Sequence, residues 1–77
     1  MSGMMSTTDR LVHMANQIAR AFATESEDRA IEATRAHLRR YWDPLMRERI
    51  IACLDTHGAA FSDHARAAVE RLRNESV

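Results

Sequence analysis

The sequence has no lysine, one cysteine, one proline, two glycines and few aromatics: one Trp, one Tyr and two Phe. Each scarcity excludes something. A lone cysteine, Cys53, rules out a disulfide within the monomer, the staple on which many small domains depend. With so little glycine there is no glycine-rich loop to cradle a phosphate. Eleven basic residues balance eleven acidic ones, so no global field draws the chain to nucleic acid or an anionic membrane. No apolar run approaches the ~18–20 residues of a membrane span. Met1–Thr8 lacks both the basic and the apolar region of a signal peptide. The expected location is the cytoplasm.

Large apolar side chains are scarce as well. Hydrophobic residues make up 45% of the 77, but thirteen are alanine; beside the aromatics stand five Leu, four Ile, three Val and five Met. Ordering the backbone costs ~1–2 kcal/mol per residue, so this core leaves a small margin. Domains of this size usually add disulfides, a metal or a partner. Disulfides are excluded. Cys53 and His57 are four apart, a spacing that can set two zinc ligands on one helical face. No second pair at metal spacing accompanies them, and the plainer expectation is a small buried thiol and a histidine at the negative end of its helix. A partner remains.

What the sequence does contain is helix punctuation. Thr7 or Thr8 is the expected cap of a first helix to about Ala23, with Asp9 in its first turn. On a 100° wheel Leu11, Val12, Met14, Ala15, Ile18, Ala19 and Phe22 cover half the circumference, wide enough to be buried against two things at once. Asn16 and Gln17 lie at its two margins. Ser26 caps a second helix, whose stripe runs Ala30, Ile31, Ala33, Thr34, His37, Leu38 and Tyr41. His37, on that apolar stripe, is expected to be a hydrogen-bonded core histidine. The helix must stop near Trp42, because Asp43 precedes proline and is pushed out of the α region. Asp43 then caps a third helix with Pro44 in its first position. That helix buries Met46, Ile50, Ile51, Cys53 and Leu54, and Gly58 is expected as its left-handed cap. Leu45 points away from this stripe and Arg47 points into it. Ser62 caps a fourth helix to about Asn74, with ion-pair spacings Arg66–Glu70 and Arg71–Glu75. The expected fold is all-α: a small bundle of about four short helices. Residues 1–8 form a flexible tail and 9–77 a single helical domain.

The segment Arg39–Arg49 holds the only Trp, the only Tyr and four of the eleven arginines. These are the residue types most enriched among binding hot spots. Trp42 either plugs the corner between helices two and three or meets a partner. An arginine on an apolar stripe, as at Arg47, either snorkels outward along its stem or meets an acidic partner. No triad-like pairing of nucleophile and base stands out, and a chain this small has little room for a ligand pocket of ~300–1,000 Å³. The expectation is a chain that is not an enzyme by itself.

Two segments resemble a known family. Leu11-Val12-His13-Met14-Ala15-Asn16-Gln17-Ile18-Ala19 is similar to the N-terminal signature of the delta subunit of NAD-dependent formate dehydrogenases. His37-Leu38-Arg39-Arg40-Tyr41-Trp42-Asp43-Pro44-Leu45-Met46-Arg47 is similar to its central block, with Leu45 where the pattern favours a basic residue. Phe61–Leu72 fits the last helix more loosely. The resemblance implies a non-catalytic accessory subunit of a cytoplasmic complex that converts formate and NAD to carbon dioxide and NADH. It implies an alpha subunit carrying molybdenum or tungsten on a bis-pterin guanine dinucleotide, with iron–sulfur clusters. It further implies beta and gamma subunits with FMN and further clusters, and a chain here that is expected to carry none of these groups. The delta subunit is expected to bind the alpha subunit and help its assembly, cofactor insertion or stability. The partner-binding residues expected are Asn16, Gln17, Arg40, Tyr41, Trp42, Asp43, Leu45 and Arg47, as contacts or as supports of the corner that presents them. A reading from another class is a small helical nucleic-acid-binding regulator using Arg35, Arg39, Arg40, Arg47 and Arg49. Against it stand the zero net charge and a proline-capped turn without glycine.

Overall fold

Serine and aspartate caps set where the chain turns helical. In the computed structural model, which describes residues 5–75, the elements are α1 (Thr7–Ala21), α2 (Glu27–Tyr41), α3 (Pro44–Thr56), a 3-10 turn (Gly58–Ala60) and α4 (Asp63–Glu75). Ser6 rather than a threonine caps α1. Its hydroxyl accepts from the Asp9 N–H at 3.0 Å, while the Asp9 carboxylate accepts from the Ser6 N–H at 3.3 Å. Only Ser6 has an acid three residues on; Thr7 and Thr8 are followed at that distance by Arg10 and Leu11, so the reciprocal box forms one step early. Of the tail expected over residues 1–8, residues 1–4 lie outside the described residues, and Thr7 and Thr8 belong to the first turn of α1.

Ser26 caps α2 by accepting from the Arg29 N–H at 3.4 Å. The helix ends because Trp42 and Asp43 are both extended, with ψ of 139° and 167°, as the residue before a proline must be. Asp43 accepts from the Met46 N–H at 2.8 Å and Pro44 occupies the first position of α3. The far end of α3 departs from expectation. No glycine among the described residues has positive φ. His57, at φ −132° and ψ 27°, already leaves the helix, and the Ala60 N–H bonds its carbonyl at 2.9 Å. With the helix closed this way, Gly58 opens the 3-10 turn and no left-handed residue is required. Ser62 then caps α4 by accepting from the Ala65 N–H at 3.3 Å.

The core draws Leu11, Val12, Ala15 and Ala19 from α1, Leu38 from α2, Ile50 and Cys53 from α3, and Val69 and Leu72 from α4. Trp42 and Phe61 fill it from the two connections. Helix α1 packs against all three other helices. Its wide apolar face is therefore largely covered within the chain, apart from one margin at Met14, which is 40% exposed. Helices α2 and α4 pair most closely, through small residues that permit close approach: Ala30 and Thr34 on one, Ala65 and Ala68 on the other, all fully buried.

Ion pairs line the outer edge of that pairing, in a pattern different from the one expected. Arg71 reaches across to Asp28 at 2.7 Å and Glu32 at 3.4 Å, and Glu75 takes Arg35 and, at 3.6 Å, Arg39. The spacing Arg71–Glu75 goes unused because α2 offers both side chains a closer opposite charge. Arg66 pairs with Asp63 at 3.7 Å instead of Glu70. Among the described residues no strand occurs, and no helix is long and apolar enough to cross a membrane.

Candidate partner-docking site

The α2–α3 corner sorts neighbouring residues into an inward and an outward set. Trp42 leaves the helix first, in extended backbone, and its indole turns inward to 5% exposure. Of the two roles open to it, it takes the plug. Asp43 is committed to the α3 cap. Arg47, on the apolar side of α3 as its position predicts, is half-buried. Its guanidinium donates to the Arg39 carbonyl at 3.2 Å and to the Trp42 carbonyl. Those carbonyls end α2 without partners of their own, where a helix also carries its partial negative charge. Arg47 thereby ties the start of α3 to the end of α2.

The outward set is Arg40, Tyr41 and Leu45. Tyr41 is 65% exposed and Leu45 56%, the two largest exposures of big apolar side chains in the described chain. Arg40 places its guanidinium 5.6 Å from the Tyr41 ring centroid. His37 lies half-buried against the other side of the row: its ring centroid is 4.7 Å from that of Tyr41 and 6.4 Å from that of Phe22. Its described contacts are thus ring on ring rather than the hydrogen bond expected of a core histidine.

Asn16 and Gln17 fall on opposite margins of α1. The Asn16 amide donates to the Ala60 carbonyl and accepts from the Ser62 N–H, both at 2.9 Å, fastening the α3–α4 connection to α1. Gln17 is exposed beside Met14. Exposed Met14, with Ile18 and Phe22 half-buried at the next two turns, was not singled out as surface by sequence reasoning. The signal was present in the width of the α1 face, whose i, i+4, i+8 edge exceeds what three short helices cover.

Chemistry elsewhere is muted. Burial pushes the Cys53 thiol above its ordinary range, and the nearby Asp9 carboxylate adds to this. His57 hydrogen-bonds Thr56 at 2.7 Å and stands 3.4 Å from Asp9. Among the described residues no three His, Cys, Asp or Glu side chains converge. A cleft of about 400 Å³ between the end of α1 and the start of α4, lined in part by Arg20, Ala23, Asp63 and His64, is open to solvent. Of the arginines weighed for nucleic acid, Arg35 is held by Glu32 and Glu75, Arg39 by Glu75, and Arg47 by carbonyls. Glu32 in turn is held below the ordinary carboxylate range by its hydrogen bond from Arg35 and by Arg71.

No curated protein and no solved structure matches the chain. Residues 10–69, which span α1 to the middle of α4 and so include the whole corner, match the family model described as NADH-dependent formate dehydrogenase delta subunit FdsD. That match covers well over half of the 77 residues, and the chain belongs to the formate dehydrogenase delta subunit family.

Proposed function

We propose that the chain is a non-catalytic accessory subunit of a cytoplasmic NAD-dependent formate dehydrogenase. It binds the catalytic alpha subunit, in a complex with beta and gamma subunits, and aids assembly, cofactor insertion or stability of that partner. The observation that carries this reading is the sorting of the corner. Tyr41, Arg40 and Leu45 stand in solvent on a frame that Trp42, Asp43 and Arg47 hold from inside. A rigid aromatic and an aliphatic side chain presented this way lose little conformational entropy on docking. Asn16 supports the same body from the far side, and Gln17 lies on the exposed margin of α1.

The bis-pterin guanine dinucleotide with molybdenum or tungsten, the iron–sulfur clusters and the FMN belong in this reading to the partner subunits. The donor set of this chain does not fit an iron–sulfur cluster. An iron–sulfur cluster is held by several thiolates, whereas there is one cysteine here, 1% exposed, and burial raises its thiol above the ordinary range.

Co-expression of the tagged chain with the formate dehydrogenase subunits tests the proposal. Capture should bring down the alpha subunit, and omitting the chain should lower the metal and pterin content of the purified enzyme. Absence of the alpha subunit from the captured material would reject the reading. Equal stoichiometry in the mature, active complex identifies a resident subunit; presence only on cofactor-free alpha subunit identifies an assembly factor.

A further inference from the structure

The exposed apolar surface does not stop at the corner. Met14, Ile18 and Phe22 recur every four residues along α1, and His37 and Tyr41 do the same along α2. The Phe22–His37 and His37–Tyr41 ring contacts, at 6.4 and 4.7 Å, set these two rows side by side as one seam. Met14 at 40% and Tyr41 at 65% exposure mark its open parts.

Charge is distributed unevenly around that seam, although the whole chain is neutral. Every carboxylate of α2 turns away from it: Asp28 and Glu32 face α4 and pair with Arg71 and Arg35, and Glu27 lies 3.6 Å from His64. On α1 the one acid, Asp9, is engaged by Ser6 and His57. Exposed Arg10 borders the α1 row, and exposed Arg29 and Arg40 border the α2 row; none has a carboxylate partner among the described residues. Acids stand only at the ends, Glu25 in the α1–α2 connection and Asp43 in the α3 cap. The neutral total therefore hides an apolar strip edged by three guanidinium groups that no carboxylate neutralises among the described residues.

We propose that the α1–α2 seam receives an amphipathic helix of the partner protein whose apolar stripe is bordered by aspartate or glutamate. This rests on the docking reading above and states the chemistry of the surface that is docked. An acidic border meets Arg10, Arg29 and Arg40 with complementary charge, and an apolar stripe covers Met14, Ile18 and Tyr41. A second copy of this chain fits poorly, because a two-fold contact sets the same face against itself and brings arginine against arginine. A nucleic acid fits poorly too, since its phosphates find no use for the aliphatic centre.

The test uses the full chain co-expressed with the formate dehydrogenase subunits. The double variant R10E/R29E and, separately, Met14→Glu change exposed seam residues only. The control R20E/R73E makes the same change of charge elsewhere. Circular dichroism should show all three folded as the wild type. Capture of the partner should fall about tenfold or more for each seam variant, stay at wild-type level for the control, and weaken for the wild type as salt is raised. Wild-type capture by both seam variants, with capture lost in Leu45→Ala, would overturn the seam while leaving the accessory-subunit reading intact. No capture by the wild type would reject both. Two further outcomes would also overturn it: a dimer of the free chain that R10E/R29E dissociates, or DNA binding at low salt that the same variant abolishes.

Discussion

Trp42 and Tyr41 are adjacent in sequence and opposite in fate, and replacing each with alanine separates packing from presentation. A buried Trp side chain removes ~150–250 Å² from water. At ~25 cal/mol per Å² that is ~4–6 kcal/mol, and a realistic unfolded chain, already partly collapsed, lowers it to ~3–5 kcal/mol. Truncation of a buried Trp costs in the same range, ~3–5 kcal/mol. Here the indole is 5% exposed and packed into the common core, so the full range applies. A 77-residue domain has a total stability of ~4–12 kcal/mol. Trp42→Ala therefore removes about a quarter or more of the total and can bring the chain to the edge of unfolding. Tyr41→Ala loses one tilted contact with His37 and one with Arg40, at an exposed site, and costs ~0.5–1 kcal/mol. Urea unfolding followed by far-ultraviolet circular dichroism measures both, since the substitution removes the sole tryptophan as a fluorescent probe. A Trp42→Ala variant that unfolds at the wild-type midpoint while losing its partner would refute the packing argument. It would mean that the indole contributes nothing inside and acts only across an interface.

Asn16→Ala removes two hydrogen bonds that join α1 to the α3–α4 connection. At ~0.5–1.5 kcal/mol each the loss is ~1–2 kcal/mol at this half-exposed site. It should appear as a fall in melting temperature of roughly 4–8 °C per kcal/mol and faster amide exchange at Ser62; unchanged exchange there would show the clamp to be idle. Arg47→Met keeps the apolar stem but strips the guanidinium from the Arg39 and Trp42 carbonyls. A loss of ~1–2 kcal/mol is expected in urea unfolding, and the unrelated variant Arg49→Met should change little. The pH dependence follows from Glu32, whose carboxyl is held below its ordinary value of 4.5 by the hydrogen bond from Arg35 first and by Arg71 after it. A depressed folded value means stabilisation that is present above the unfolded value and lost as pH falls through the folded one. Melting temperature should decline below about pH 4.5. Glu32→Gln should flatten part of that decline while costing under ~1 kcal/mol at neutral pH, because the pair is half-exposed; an unaltered acid profile in this variant would remove Glu32 from the explanation.

The chain's elements were legible in the sequence because their boundaries are local chemistry. Ser26, Asp43 and Ser62 cap as their positions dictate, and Pro44 breaks the chain at Trp42 whatever surrounds it. The outward aim of Leu45 and the inward aim of Arg47 were readable too, since both follow from the 100° step of α3. At Gly58 the local rule failed, because a left-handed glycine is one of several ways to close a helix and the following 3-10 turn supplied another. The destination of each side chain required the bundle. No local rule decides whether an indole at a corner folds in or points out; the space left for it in the common core does. Likewise Arg71 prefers Asp28 to the residue four places on only once α4 lies against α2. That same pairing draws the carboxylates of α2 to one side and leaves arginine along the other. Charge segregation is a property of how helices are rotated against one another, and a neutral sequence contains it only after folding.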